Sequence, residues 1–230
     1  MVIDLGTGDG RAVLARARSS PRDLILGIDA TAAAMREVSQ RAAAKPARGG
    51  VGNARFFVEA AEALPGPLAG TAHIVTITLP WGSLLRGVLG REPRVMAGIA
   101  GLVRPGGAVE ALISVTPRDG IGGLDALTDA AGPVIAAAWA EHGVALTAMR
   151  PAAPVEVLAT ASTWARRLGD RPIWRLAFGV TRTAPDRARN RGIDHEQGAP
   201  EPRSGRTDRR DRPLTMRNVR DTVGTSPKDR

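Results

Sequence analysis

The run Val2-Ile3-Asp4-Leu5-Gly6-Thr7-Gly8-Asp9-Gly10 restricts the fold of this chain more than any other stretch. Aliphatic residues on both sides of one acid read as a buried strand, and glycines at alternate positions end it in a turn. A second apolar run, Leu24-Ile25-Leu26-Gly27-Ile28, follows and ends on Asp29. Strand, glycine turn, helix, strand and terminal acid together make half of a nucleotide-cofactor site. Glycines let backbone amides approach a ligand where a Cβ would clash, and the next helix begins at the same turn. An acid at the tip of the second strand can accept hydrogen bonds from both hydroxyls of a ribose.

The turn reads Gly-Thr-Gly-Asp-Gly rather than G-x-G-x-x-G, and Asp4 lies inside the first strand. This variant resembles the first motif of S-adenosylmethionine (SAM) methyltransferases more than a dinucleotide fingerprint. A nicotinamide or flavin fold is the alternative at this stage.

A chain of 230 residues can hold one sizeable α/β domain. It has no cysteine, which excludes disulfides and thiolate metal sites and suits a reducing cytoplasm. His73, His142 and His195 are too scattered to suggest a metal centre. No apolar run approaches the ~20 residues of a membrane span, and Met1 leads into a core strand rather than a signal peptide. The expectation is a cytoplasmic monomer with no membrane association. Net charge is +9, divided as +5 over residues 1–183 and +4 over residues 184–230. A basic body fits a polyanionic partner, although an arginine-rich composition produces the same excess without one.

Strand and helix patterns alternate along the chain. Strands are expected at Val2–Leu5, Leu24–Ile28, Ala54–Val58, Ala72–Leu79, Ala108–Val115, Ala145–Met149 and Trp174–Thr181. Helices are expected at Arg11–Ala17, Ala32–Ala44, Val95–Leu102 and, rich in alanine, Asp125–His142. Arg104-Pro105-Gly106-Gly107 reads as a helix stop. The alternation argues an α/β domain with a mostly parallel sheet covered on both faces. After Thr183 apolar periodicity ends, so residues 1–183 read as the domain and residues 184–230 as a disordered basic tail. A domain seldom starts with its central strand at residue 2. Either an element preceding it is missing, or the helix beside strand one is left partly uncovered.

With four Trp, three Phe and no Tyr, each aromatic residue is informative. Trp81 follows strand four in Leu79-Pro80-Trp81-Gly82-Ser83, at the edge where open α/β sheets place ligands. Trp164 lies in Ser162-Thr163-Trp164-Ala165-Arg166-Arg167. Either tryptophan alone reads as a packing residue. Together, beside small polar residues and arginines, they suggest a stacking slot for a flat substrate. Trp139 fits a core-facing helix position, and Trp174 the start of the last strand. Ala61 and Glu62 follow strand three, where small residues leave room for a ring or simply start a helix. Arg41, Lys45 and Arg48 can grip phosphates or form an ordinary solvated surface.

Val2–Gly10, Ala43–Gly50, Ala60–Pro65, Pro80–Gly90 and Thr163–Leu168 together resemble the KamB/NpmA family. Its members are the aminoglycoside-resistance 16S rRNA (adenine(1408)-N(1))-methyltransferases. The resemblance spans almost all of residues 2–181, and Pro-Trp-Gly-Ser-Leu-Leu-Arg-Gly is its most specific element. It implies a Rossmann-like, seven-stranded class I methyltransferase fold whose last strand is antiparallel. It also implies that SAM is the cofactor and 16S rRNA of the assembled 30S subunit the partner. Asp4, Gly6, Thr7 and Gly8 would line the methionine end of SAM, Asp29 with Ala30 the ribose, and Ala61 with Glu62 the adenine. Leu79, Pro80, Trp81, Gly82 and Ser83, with Ser162, Thr163 and Trp164, would close the pocket. Trp81 and Trp164 match the two tryptophans that clamp a flipped target adenine. Lys45, Arg48, Arg86, Arg166 and Arg167 fall where the family docks on rRNA, and Arg171 is the nearest match to a loop arginine that supports flipping.

Two departures accompany the resemblance. Relatives carry a β-hairpin and a lead-in before strand one that have no counterpart here, and the stretch after Thr183 matches nothing in the family. Three other readings therefore stay open. One is transfer to another RNA such as tRNA, a second is transfer to a small molecule, and the third is a noncatalytic SAM- or rRNA-binding chain.

Overall fold

Strands buried on both faces must be apolar along their whole length, and β1 (Val2–Leu5) meets that condition, with Asp4 as the one polar exception. β2 (Ile25–Asp29) is buried at every position but its last. The computed structural model describes residues 1–162, 165 and 171–181. Its sheet has seven strands in the order β3-β2-β1-β4-β5-β7-β6, with β3 at Ala54–Val58, β4 at Ala72–Thr78, β5 at Val103–Ile113, β6 at Val144–Pro151 and β7 at Trp174–Val180. β7 runs antiparallel to both β5 and β6. The pairs β1–β2, β1–β4, β2–β3 and β4–β5 are parallel. This is the mostly parallel sheet with an antiparallel last strand that the sequence leads one to expect.

Side chains alternate between the faces. Ile3, Leu5, Val75, Ile77, Val109, Ala111, Leu176 and Phe178 share the larger core with α3 (Gly82–Val88), α4 (Pro93–Leu102) and α5 (Gly132–Ala140). Trp139 of α5 is fully buried there, donates from Nε1 to the Val88 carbonyl at 3.0 Å and packs on Phe178 at 4.8 Å. On the other face α1 (Arg11–Ser19) and α2 (Ala32–Ala42) form a smaller core with Val2, Ile25 and Ala54. Between α1 and α6 (Pro154–Ala159) that face holds a groove of about 620 Å³, whose lining includes Asp4, Arg16, Thr76, Glu110, Arg175 and Glu156.

Several boundaries differ from expectation. Arg104-Pro105-Gly106-Gly107 lies inside β5, because the pairing with β4 jumps from Ala72–Val103 to Ile74–Ala108 and accommodates these residues as a bulge. The alanine-rich helix starts only at Gly132, with Pro133 in its first turn and a 3-10 turn at Asp129–Ala131 before it. α2 stops at Ala42, since Pro46 forces Lys45 into an extended conformation. α3 and α6 have seven and six residues, too few for an amphipathic repeat to announce them. The expected boundary near Thr183 and the tail beyond it lie outside the described residues. Among the described residues no helix is long and apolar enough to cross a membrane, and no cluster of side chains could hold a metal ion.

One carboxylate fixes α6 to the sheet. Glu156 accepts two hydrogen bonds from Arg150 at 2.6 and 2.8 Å, one from the Ala153 amide at 2.8 Å and one from Arg175 at 3.0 Å. Arg175 also pairs with Glu110 at 3.3 Å. The hydrogen bonds from Arg150, then that from Ala153, lower the Glu156 carboxyl from 4.5 to about 2. A carboxylate depressed on folding contributes stability that is present above its unfolded value and lost as pH falls through its folded one. Glu156→Gln is therefore expected to lower the urea midpoint at pH 7. The deficit should shrink between pH 4.5 and about 2; a deficit constant across that window would remove ionic character from the contact.

Candidate active site

The carboxyl ends of β1 and β2 come level because Leu5 pairs with Ile28. Gly6 and Thr7 both donate their amides to the Ile28 carbonyl, at 2.8 and 3.1 Å, so the glycine turn folds over the end of β2. Asp29 completes the junction. Its Oδ2 accepts from the Gly8 amide at 2.8 Å and its Oδ1 from the Thr31 amide at 2.8 Å. Each oxygen keeps lone-pair capacity for a further donor. Gly6 and Gly8, at φ 75° and 58°, serve different ends. A Cβ on Gly6 would meet the Leu84 side chain at 2.6 Å, so α3 packs directly on the turn. A Cβ on Gly8 would meet nothing within 4 Å, which leaves that backbone open to close approach.

Asp4 lies beneath the turn and is only 8% exposed. Burial pushes its carboxyl above the ordinary value, against the hydroxyls of Thr7 and Thr76 and the charge of Arg16. Thr76 on the neighbouring strand donates to Asp4 Oδ1 at 2.8 Å. The sequence reading missed Thr76, which looks like one more β-branched residue of a strand. Gly98 of α4 was also missed. A Cβ there would lie 1.9 Å from the Ala61 carbonyl oxygen, so only glycine lets α4 back the 3-10 turn Ala61–Ala63. Ala61 itself is buried, whereas Glu62 and Ala30 are exposed on the same edge of the sheet.

After β4 the chain turns sharply. Leu79 has a left-handed backbone at φ 51°, is 6% exposed and donates its amide to the Leu112 carbonyl at 2.7 Å. Pro80 is buried, and Trp81 stands 79% exposed at the N-cap of α3. Gly82 is exposed and Ser83 half-buried. The structure thus gathers Asp4, Gly6, Thr7, Gly8, Asp29, Ala30, Ala61, Glu62 and Leu79–Ser83 around the carboxyl ends of β1 to β4.

The basic candidates divide. Lys45 and Arg48 are exposed in the loop between α2 and β3, at the amino ends of the strands, because Asn53 caps Ile25 there. Arg18 reaches that loop and donates to the Gly49 carbonyl at 3.3 Å. Arg86 of α3 pairs with Glu92 at 3.7 Å. Arg171 is exposed just before β7, whose first residue Trp174 pairs with Ile113 at the carboxyl edge. Ser162 is half-buried, and its Oγ accepts from the Ala165 amide at 3.3 Å. Thr163, Trp164, Arg166 and Arg167 lie outside the described residues.

The strand order, the antiparallel β7 and the glycine turn clasped to an acid at the end of β2 define a class I methyltransferase fold. The family model for NpmA, 16S rRNA (adenine(1408)-N(1))-methyltransferase, matches residues 1–173, and the chain belongs to that family. A relative of that description from Streptoalloteichus tenebrarius is 37% identical over 173 residues, which cover 73% of this chain and 80% of the relative. One from Streptoalloteichus hindustanus is 38% identical over the same shares of both chains. The crystal structure of the 16S rRNA methyltransferase KamB superposes with a TM-score of 0.72 at 34% identity, covering 79% of this chain and 87% of that one. A tryptophan-to-alanine variant of the enzyme from Catenulisporales acidiphilia, solved with its cosubstrate SAM, also gives 0.72, at 31% identity and covering 79% and 85%.

The Gly98 contact gives a direct check on how the Ala61 turn is held. Gly98→Ala is expected to cost about 1–3 kcal/mol in urea denaturation, as overpacking against backbone does. An unchanged midpoint would mean that the turn yields freely and is not held by α4.

Proposed function

We propose that this chain transfers the methyl group of SAM to N1 of adenine 1408 in the 16S rRNA of the 30S subunit, the activity for which its relatives are named. The observation that carries this reading is a tryptophan 79% exposed at the carboxyl end of β4, beside a glycine turn clasped by Asp29. An exposed indole next to a cofactor edge suits a flat, electron-rich substrate.

The residues present fit SAM. Gly8 offers open backbone, and Asp29 has spare acceptor capacity at the position of a ribose. Asp4, Gly6, Thr7 and Gly8 would hold the methionine end, and Ala30, Ala61 and Glu62 would frame the adenine. Leu79 to Ser83 would wall the pocket, joined by Ser162, Thr163 and Trp164. When bound, SAM supplies a methyl group on a sulfonium, a strong electrophile with a good leaving group. N1 of adenine already carries a free lone pair at neutral pH, so no side chain has to remove a proton first. The protein's task is positioning. Trp81 would stack on one face of the flipped base and Trp164 on the other. Stacking returns about 1–3 kcal/mol per base against the few kcal/mol that flipping costs. The base becomes cationic on methylation, and facing indoles favour a cation.

Substrate size supports an RNA surface over a small molecule. Lys45 and Arg48 lie at the amino ends of the strands and Trp81 and Arg171 at the carboxyl edge. The length of β2, from Ile25 to Asp29, sets them about 13 Å apart along the strand direction alone. A partner touching both must be extended and anionic, as the folded RNA of a ribosomal subunit is. Binding should accordingly weaken steeply with salt.

Purified protein, 30S subunits and SAM, followed by reverse transcription, test the proposal, since N1-methyladenine blocks pairing. A SAM-dependent stop at adenine 1408 is expected; a stop elsewhere would assign another RNA position, and no stop would reject the reading. Trp81→Ala and Trp164→Ala should each abolish the stop while SAM binding largely survives, because each indole is one wall among several around SAM but a whole stacking face for the base. Asp29→Ala should weaken SAM binding itself. Equal loss of SAM affinity in the tryptophan variants would make those residues structural.

A further inference from the structure

The arginines of this molecule fall into two groups. Arg11, Arg41, Arg86, Arg150 and Arg175 each pair with a carboxylate, at 2.6 to 3.7 Å. By contrast Arg18, Arg22, Arg48 and Arg55, with Lys45, are exposed and form no ion pair with a described residue. These five cations lie within residues 17–24 and 43–55, stretches whose one carboxylate is that of Asp23.

The fold draws those stretches together at the amino ends of the strands. Asn53, just before β3, donates from Nδ2 to the carbonyls of Ala17, Ser20 and Asp23 at 3.0, 3.0 and 2.8 Å. Its own carbonyl accepts from the Ile25 amide at 2.9 Å. One side chain thus ties the end of α1 and the turn after it, with Arg22 between two of the bonded carbonyls, to the start of β3. Arg18 reaches across to the Gly49 carbonyl at 3.3 Å, and Arg55 back to the Gly52 carbonyl at 3.0 Å. Both guanidinium groups therefore lie against the loop that carries Lys45 and Arg48. That loop has one shape: the Val51 amide bonds to the Ala42 carbonyl at 2.9 Å, and a Cβ at Gly50 would lie 1.7 Å from the Ala44 carbonyl oxygen.

Five cations gathered around one acid make a positive patch that a string of phosphates complements. Arg18 and Arg55 keep further N–H donors beyond those spent on backbone carbonyls, and Arg22 keeps all of its own. We propose that the amino edge of the sheet is a phosphate-docking surface wider than Lys45 and Arg48, in which Arg18, Arg22 and Arg55 join them in gripping the rRNA backbone. The identity of that RNA rests on the function proposed above.

The full chain and its variants are compared by urea midpoint, by SAM titration calorimetry and by binding to 30S subunits over a series of KCl concentrations. Each phosphate contact contributes about 0.7–0.9 to the slope of log affinity against log salt. Arg22→Gln should lower that slope by about one, and the triple variant Arg18→Gln/Arg22→Gln/Arg55→Gln by about two to three, with binding at least about tenfold weaker at low salt in the triple variant. Arg22→Lys keeps the charge and should stay within about twofold of the parent. Arg94 is exposed at the start of α4, which runs toward the amino end of β5, so Arg94→Gln removes an equal charge far from this edge and should change neither slope nor affinity. SAM affinity and urea midpoint should hold throughout, because the cofactor edge is at the other end of the strands. The Arg22 side chain makes no hydrogen bond or ion pair among the described residues, so its variant decides the matter even where the triple variant loses stability. An unchanged slope in Arg22→Gln would make the patch a solvated face and overturn the inference. An equal loss in Arg94→Gln would reduce the effect to net charge and overturn it too. A parent chain that does not bind 30S subunits rejects the proposed function and this surface together. A parent that binds and methylates them, with the arginine variants unaffected, rejects the surface alone.

Discussion

The hydrogen bond from the Gly8 amide to Asp29, at 2.8 Å, is the contact on which the carboxyl edge of the sheet depends. Backbone amides in a glycine turn have no ladder partner, and an unpaired amide near a protein core is costly. Asp29 satisfies one such amide from β1 and another, from Thr31, at the entry to α2. One carboxylate thereby locks two βα junctions in a fixed relation. A nucleoside bound across those junctions would meet amides and acceptors already in place, so little ordering would remain to be done on binding.

Beneath that clasp, Asp4 shows how the sheet tolerates a charge-bearing group in a buried strand. Its carboxyl is taken out of water and raised, and Thr76 from the adjacent strand supplies a compensating donor. The same face continues through Glu110 and Arg175 to Glu156, so polar side chains run from the central strand to α6. The opposite face carries the larger apolar core, with Trp139 and Phe178. This asymmetry divides the tasks of the sheet. One face supplies the stable core, and the other links the cofactor edge to the segment between β6 and β7.

Local pattern made part of this legible. β1 and β2 are buried apolar runs interrupted only by Asp4 and ended by Asp29, and β3, a largely exposed edge strand, is legible from its Phe-Phe-Val run. The glycine turn and Asp29 were equally readable, since their spacing follows from the length of a strand–helix–strand unit. Contacts between distant positions were not. Thr76 meets Asp4 across 72 residues, and Gly98 meets Ala61 across one strand and one helix, so neither pairing leaves a local trace. Arg104–Gly107 misled for the opposite reason. Proline and glycine that usually end an element sit here in a bulge, where an irregular ladder accepts both. The tryptophan at the edge was readable through its place after strand four, where open α/β sheets put their ligands.

The two ends of the sheet then bear on substrate choice in different ways. Lys45 and Arg48 sit on a loop closed by hydrogen bonds from the Arg48 and Gly50 amides to the Lys45 carbonyl, at 2.8 and 3.2 Å. Phosphate contacts from such charges would fix the register of an RNA backbone and carry no base information. In the proposed role Trp81 would stack on any base and would be equally unselective alone. On the proposed function, selection would then draw on the distance between the two, which the parallel strands set. A base would be modified when its backbone engages the loop and the flipped ring falls at the cofactor edge. On the proposed function, shape rather than sequence specifies the adenine, and the sheet serves as the ruler.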